Sequence, residues 1–384
     1  MDTALSLSPN SLSLEQQVVR LQALLEATRQ VHSTIKVQEV LTQAARILVR
    51  ELEVDGALFL DPASGQPIVS YGDLPAAPWE NCLRFPLLSK EKHLLAELIL
   101  AAPDRAKFSL YEQDFVEGLA LQTAVALENA TLHERDIEWA RVQQDLDAAR
   151  AVQRSLLPKT MPDIPGFSIA GRSSTCYEVG GDYLDTIPQA DGSHLMVVAD
   201  VAGKGLASAI VATSFRAAIR SHTSHPLPLE ELAARMGQQH FEEGSEARRR
   251  YMTAFFLRLN PERGEIEVVN AGHNPAALVS PDGSLTMLRA SGVPLGMLPG
   301  VKYRAERLTF PRGARMLLYT DGLTEVFHGD DEFGEERLID AFRQFPSARA
   351  GDILDSLWQK LALFSSNAPQ TDDMTALAVC RLNS

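Results

Sequence analysis

Two apolar runs in the C-terminal half of this chain, HLMVVAD and ARMLLYTD, stop on aspartates, Asp200 and Asp321, and run on into glycine-bearing turns. A short apolar run bounded by turn formers reads as a strand buried on both faces. TDDMTALAV opens a third such strand on Asp372 and Asp373, and EVGGDYLD sets a fourth glycine-bounded acid, Asp182, ahead of another strand. A carboxylate at the mouth of a buried strand is costly unless it is solvated, paired or bound to a cation. One such acid reads as a turn cap, but four ask for a common explanation. No cluster of lysines or arginines is placed along the sequence to neutralise them. Oxygen donors without histidine or cysteine suit a hard divalent ion, Mg²⁺ or Mn²⁺. Two such ions close together ionise a water and clamp phosphate oxygens during in-line displacement.

The segments around these acids predict antiparallel sheets with helices packed outside. Strands are expected in FSIAGRSS, HLMVVADV, YMTAFFLRLN, EIEVVNAG, AALVSPDG, ARMLLYTDG and MTALAVCRL. Helices are expected from Leu206 to about Ser221, from Leu229 to Met236, and in ERLIDAFRQF and GDILDSLWQKLALF. The N-terminal part differs. Residues 13–50 show helical spacing of apolar side chains, four short strands follow, and a long helix begins near Tyr111. That is an α+β unit over 15–130. The helix continues with a charged side through 131–157, where Pro158 stops it, and it reads as a solvated spacer or a coiled-coil dimer stalk. A proline-rich joint, KTMPDIPGF, then opens a C-terminal domain over 160–383. The fold class is α+β.

Composition narrows the partners. With 36 basic and 50 acidic residues the formal charge is −14, a poor match to a nucleic acid backbone. Three cysteines far apart, with no CxxC spacing, give neither a disulfide framework nor a zinc site. No basic segment precedes an apolar core at the N-terminus, and no run of about 18 apolar residues occurs. A soluble cytoplasmic protein without a membrane span is expected.

EVGGDYLD, VADVAGKGLASAIV, NAGHNP, LLYTDGLTEV and TDDMTALAV, in this order, resemble the signature series of the PPM protein phosphatases. The resemblance is closest to the bacterial serine/threonine branch typified by RsbU and SpoIIE. It implies two stacked antiparallel sheets flanked by helices, with a two-metal centre at one edge. It makes Asp182 a metal ligand, Asp200 the bridge between two Mn²⁺ or Mg²⁺ ions, and the backbone carbonyl of Val201 a further donor. Asp321 and Asp372 complete the set, and these four aspartates are the candidate catalytic residues. Asp373 and Asp185 follow as supporting acids or alternative ligands. The implied reaction is hydrolysis of a phosphoserine or phosphothreonine by an activated water, on a STAS-domain anti-sigma-factor antagonist. Wider relatives read Asp-Gly-His where this chain has Asp200, Val201 and Ala202, so the proton donor is unassigned. The N-terminal layout resembles a GAF sensor domain, which implies regulation through the 131–157 helix and a homodimer. GAF domains take cyclic nucleotides, haem, bilins or nothing, and no ligand follows from the residues.

Competing readings leave marks that are absent or weak. A phosphatase-like scaffold that only binds a phosphoregulator is expected to have lost a carboxylate, and none is missing. GGD is shared with diguanylate cyclases, but Tyr183 and Leu184 follow here instead of Glu-Phe. Gly203-Lys204-Gly205 lacks the GxxxxGK[ST] spacing of a P-loop. His273 in NAGHNP is expected in a structural turn. Arg248 to Arg250 form a short basic run, read as solvated or as a contact for an acidic partner. Cys82 is expected to be a buried structural thiol.

Overall fold

The computed structural model describes residues 9–79, 82–102, 108–223, 227–345, 349–366 and 368–383. The first eight residues, on which the expected lack of a signal sequence partly rests, lie outside them. The chain divides into two compact units, Met1–Gln143 and Gln144–Ser384. Among the described residues no helix is long and apolar enough to cross a membrane.

The first unit contains helices α1 (Pro9–Val31) and α2 (Val37–Leu52) and strands β1 (Gly56–Leu60), β2 (Pro67–Gly72), β3 (Leu83–Leu88) and β4 (Leu94–Ala101). Helix α3 (Leu110–Leu156) begins here. The strands form one antiparallel sheet in the order β2-β1-β4-β3. Its core joins Leu41, Ile47 and Leu48 of α2, Phe59 and Leu98 of the sheet, and Phe115, Leu119 and Leu127 of α3. The helical pattern over 13–50 is interrupted at 32–36. There the Ser33 hydroxyl donates to the Gln30 carbonyl and the Lys36 N–H donates to Thr34 Oγ1. Such bonds offer the backbone an alternative to the helix ladder. Cys82 is half-buried beside Leu58, Leu60 and Ile99.

The second unit begins within α3 and continues through β5 (Phe167–Ser174), β6 (Tyr183–Pro188), β7 (His194–Val201), α4 (Leu206–His222), α5 (Leu229–Glu242) and α6 (Ser245–Arg248). Next come β8 (Met252–Asn260), β9 (Glu265–Ala271), β10 (Ala276–Val279), β11 (Leu285–Leu288), β12 (Glu306–Thr309) and β13 (Arg315–Tyr319). A small hairpin, β14 (Phe327–His328) and β15 (Asp331–Glu332), precedes α7 (Gly334–Arg343), α8 (Ala350–Phe364) and β16 (Met374–Arg381). Two five-stranded antiparallel sheets result, ordered β11-β10-β13-β16-β5 and β12-β9-β8-β7-β6.

One core joins the two sheets: Met196, Val198, Phe255 and Leu257 from one meet Met316, Leu318, Leu377 and Val379 from the other. On its other face the β7–β8 sheet packs against α4 and α5 through Val197, Phe256, Phe215 and Leu232. The β13–β16 sheet does the same with α7 and α8 through Leu317, Tyr319, Phe342 and Leu357. Each central strand is therefore buried on both sides, which is why its sequence is apolar without alternation. The fold is mixed α/β, and the apolar runs stop where the two sheets open to solvent at one edge.

Candidate active site

Register brings the acids together. Tyr183 pairs with Ala199, so one further step of the same ladder sets Asp182 across from Asp200. In the other sheet Tyr319 pairs with Ala376, and the Thr320 N–H donates to the Thr375 carbonyl just beyond it. That places Asp321, the start of a short 3-10 turn, beside the Asp372–Asp373 step. A glycine is required here: a Cβ on Gly322 would come within 2.0 Å of the Asp373 carbonyl oxygen. A Cβ on Gly181 would lie 3.1 Å from the Val201 carbonyl oxygen, a tight but less severe approach, so Val201 O faces the Asp182 loop.

The electrostatics record unbalanced negative charge. Burial first, then Asp321 and Asp372, push the Asp200 carboxyl up to about 7. Burial and the neighbouring Asp200 hold Asp182 well above the carboxylate range, although the Thr320 hydroxyl donates to its Oδ2 at 2.9 Å. Asp321 is raised by burial and by Asp372. Such shifts are expected where like charges share a partly buried site with too little positive charge to offset them. Among the described residues, no three His, Cys, Asp or Glu side chains are yet gathered closely enough to hold an ion. The donor chemistry nevertheless fits a hard divalent cation, since the acids of the cluster offer only oxygen ligands.

The two adjacent acids of TDDMT do different work. Asp373 is buried and accepts from the Cys176 N–H at 2.8 Å and the Gly181 N–H at 2.7 Å. It ties down the loop that carries Asp182. Asp372 is more exposed and meets the Lys204 ammonium at 2.8 Å. Asp185 stands apart from the cluster. Alternation along β6 turns Tyr183 and Asp185 toward α4, opposite to Leu184, which faces the other sheet. Asp185 is fully buried and takes Arg220 Nε and Nη2 at 2.7 Å each, plus the Tyr183 hydroxyl at 2.5 Å. Its oxygens anchor the helix and leave nothing for a cation at the strand ends.

Sequence reasoning passed over four contributors. Lys204 is a cation beside the acids, contrary to the reading that none is placed to neutralise them; it comes from the loop after β7, about 170 positions from Asp372. Glu325 lies four residues beyond Asp321 with its N–H on the Asp321 carbonyl at 2.8 Å, and burial and Asp321 raise its carboxyl; the spacing within TDGLTE was the available signal. Thr320 supplies the hydroxyl that Asp182 accepts. Gln153, near the end of α3, both donates to the Gly180 carbonyl (2.7 Å) and accepts from the Gly180 N–H (3.1 Å). His273 is buried with Nδ1 2.7 Å from Thr253 Oγ1, and its backbone N–H donates to Asn270 Oδ1. Burial pushes its imidazole down to about 4, so it is neutral at pH 7 and braces the turn behind Asp200.

The sequence matches the profile of the stage II sporulation protein E (SpoIIE) family over residues 190–382. That is just over half of the chain, and the chain belongs to this family. It is similar to protein IcfG of Synechocystis sp., 25% identical over 279 residues, covering 65% of this chain and 44% of that protein. It is also similar to the phosphoserine phosphatase RsbP of Bacillus subtilis, 26% identical over 235 residues, covering 60% of this chain and 56% of the relative. The chain thus spans about half the length of these curated relatives. Among solved structures, the SiaA PP2C domain of Pseudomonas aeruginosa superposes with a TM-score of 0.55 at 22% identity, covering 64% of this chain and 99% of that one. The second unit therefore has a PP2C-like fold.

Proposed function

We propose that the chain is a metal-dependent phosphoprotein phosphatase of the PPM type acting on phosphoserine or phosphothreonine. One observation carries this reading: strand ends from two sheets bring Asp182, Asp200, Asp321 and Asp372 within electrostatic reach of one another, and burial together with the neighbouring acids pushes Asp200 up to about 7. The relative RsbP, named as a phosphoserine phosphatase, supports the same class. Two Mn²⁺ or Mg²⁺ ions bound there supply the positive charge that acidifies a water and holds phosphate oxygens. Asp182, Asp200, Asp321, Asp372 and the Val201 carbonyl are the groups that hold them. Asp373 and Thr320 orient Asp182, and Gly180, Gly181 and Gly322 let the backbone approach closely enough. No side-chain nucleophile is required, so no covalent enzyme intermediate is expected.

The substrate we assign is a phosphorylated STAS-domain anti-sigma-factor antagonist, on the strength of the RsbU-like motif series. The test is release of phosphate from such a phosphoprotein by the full chain with Mn²⁺. Turnover of p-nitrophenyl phosphate alongside inert STAS phosphoproteins would overturn the substrate while sparing the chemistry.

We further assign the first unit a GAF-like sensor role, supported by its helix–sheet–helix layout, and a homodimer formed through α3. Leu132, Trp139 and Leu146 recur every seven residues, as do Val142, Ala149 and Leu156, and Leu132, Trp139 and Val142 are exposed. Gln153 continues the first of these series and reaches Gly180 in the Asp182 loop. Replacing it with alanine is expected to raise the Mn²⁺ concentration for half-maximal activity about 10-fold or more, as loss of a ligand-orienting partner does. Gln153→Glu cannot donate to the Gly180 carbonyl and is expected to behave alike. A metal titration checks both, and unchanged titrations would remove this helix from the control of the site.

A further inference from the structure

Six acids, Asp182, Asp200, Asp321, Glu325, Asp372 and Asp373, crowd the strand ends. A phosphomonoester brings close to two further negative charges at pH 7. Two divalent ions leave the acids with an excess of about two negative charges, so a phosphate dianion is repelled unless fixed cations stand beside it. Two basic side chains flank Gly203 in the loop between β7 and α4. Lys204 reaches Asp372 at 2.8 Å and donates to the Thr371 carbonyl at 2.7 Å. Its side chain is still 44% exposed, so the ammonium stands at the mouth of the site within reach of a ligand.

Arg250 comes from the other side. The Ala202 N–H donates to the Tyr251 carbonyl, pinning the segment just before β8 to the loop that follows Asp200. The Arg250 guanidinium then lies over Gly203, where a Cβ would come within 2.5 Å of Nη1. It forms no ion pair with any carboxylate among the described residues, and it is partly buried. A partly exposed guanidinium without a carboxylate partner keeps its N–H donors available to an anionic ligand.

We propose that Lys204 and Arg250 form a phosphate clamp, binding the non-bridging oxygens of the substrate phosphoryl group at the rim of the acid cluster. The inference rests on the phosphatase reading and deepens it. Lys204 is held by Asp372 and the Thr371 carbonyl in this structure; when a divalent cation takes the Asp372 carboxylate, the carbonyl keeps the ammonium at the rim. Arg250 supplies a planar fork suited to two phosphate oxygens. Gly203 is then required twice over, for its φ of +99° and for the space the guanidinium fills.

The experiment measures inorganic phosphate binding to the full chain saturated with Mn²⁺ by calorimetry, and phosphate inhibition of p-nitrophenyl phosphate hydrolysis. Lys204→Met and Arg250→Met are each expected to weaken phosphate about 10- to 100-fold, the scale of one charge-assisted contact. Lys204→Arg should stay within about 3-fold of wild type, because it keeps the charge. Gly203→Ala, which displaces the guanidinium, should follow Arg250→Met. Melting temperatures of the variants confirm that each is folded. Wild-type phosphate affinity in folded Lys204→Met overturns the clamp while leaving the phosphatase reading intact. So does a change confined to Mn²⁺ affinity, which would make Lys204 only a counter-ion of Asp372. A wild-type chain that neither binds phosphate nor hydrolyses the ester with Mn²⁺ sinks both readings.

Discussion

Asp200→Asn is expected to abolish phosphatase activity and, in metal-free protein, to make the fold more stable. The first effect follows from the role proposed for Asp200, which lies across from Asp182 with its carboxyl raised by burial and by Asp321, as the ligand that two ions would share. Loss of a single transition-state donor already costs about 10² to 10³ in rate, and loss of the bridging ligand should cost at least about 10³. The second effect has the opposite sign. In the metal-free fold, burial and the neighbouring acids push the Asp200 carboxyl up to about 7, from an ordinary value of 3.8. A raised carboxyl contributes stability below about pH 4, and this is lost as pH rises through 7. At pH 8 the ionised group therefore costs the metal-free fold on the order of 2 to 4 kcal/mol, which asparagine removes. For a unit of this size that is about 5 to 10 °C in melting temperature. Thermal melts in chelator at pH 5 and pH 8 check it: wild type should lose stability between them, and the variant should lose much less. Equal pH dependence in the two proteins would mean that burial and the neighbouring acids do not raise Asp200.

The neighbouring acids of TDDMT should separate cleanly. Asp373→Ala is expected to destabilise the fold by about 2 to 4 kcal/mol, since it strands the Cys176 and Gly181 N–H groups that the carboxylate accepts. Activity should fall with it, because the Asp182 loop loses its anchor. Asp372→Asn should leave the melting temperature within about 2 °C of wild type, as its partner is a half-exposed lysine in a weak ion pair. Its activity should nevertheless drop about 10²-fold or more, with a raised Mn²⁺ requirement. Denaturant unfolding alongside a metal titration distinguishes them. A destabilised Asp372→Asn with a stable Asp373→Ala would exchange the roles of the two residues.

Much of the site was legible because of how the strands are buried. β7, β13 and β16 are covered on both faces, so their apolar runs are unbroken and their terminal acids stand out. The glycines beside those acids were equally visible, and their close approaches explain them. Asp185 misled because its acid type matched while its face did not; strand alternation turns it toward Arg220, a partner 35 positions away that no local pattern reveals. Lys204 and Gln153 were hidden for the same reason. Each acts across a distance in sequence that only the folded sheets close, Lys204 upon Asp372 and Gln153 upon Gly180. The short strands β11, β12, β14 and β15 also escaped notice, being brief and partly exposed, with little hydrophobic period to read. The break at 32–36 was lost inside a strong helical period, where the deciding interactions were two hydroxyls bonded to nearby backbone.

The most direct test is hydrolysis of p-nitrophenyl phosphate by the full chain, titrated with Mn²⁺ and then with excess EDTA, with Asp321→Asn alongside. Activity is predicted to rise with Mn²⁺, to vanish in EDTA, and to be absent from Asp321→Asn at every metal concentration. Full hydrolysis in excess chelator, or wild-type hydrolysis by Asp321→Asn, would contradict a metal centre built from these strand-end aspartates.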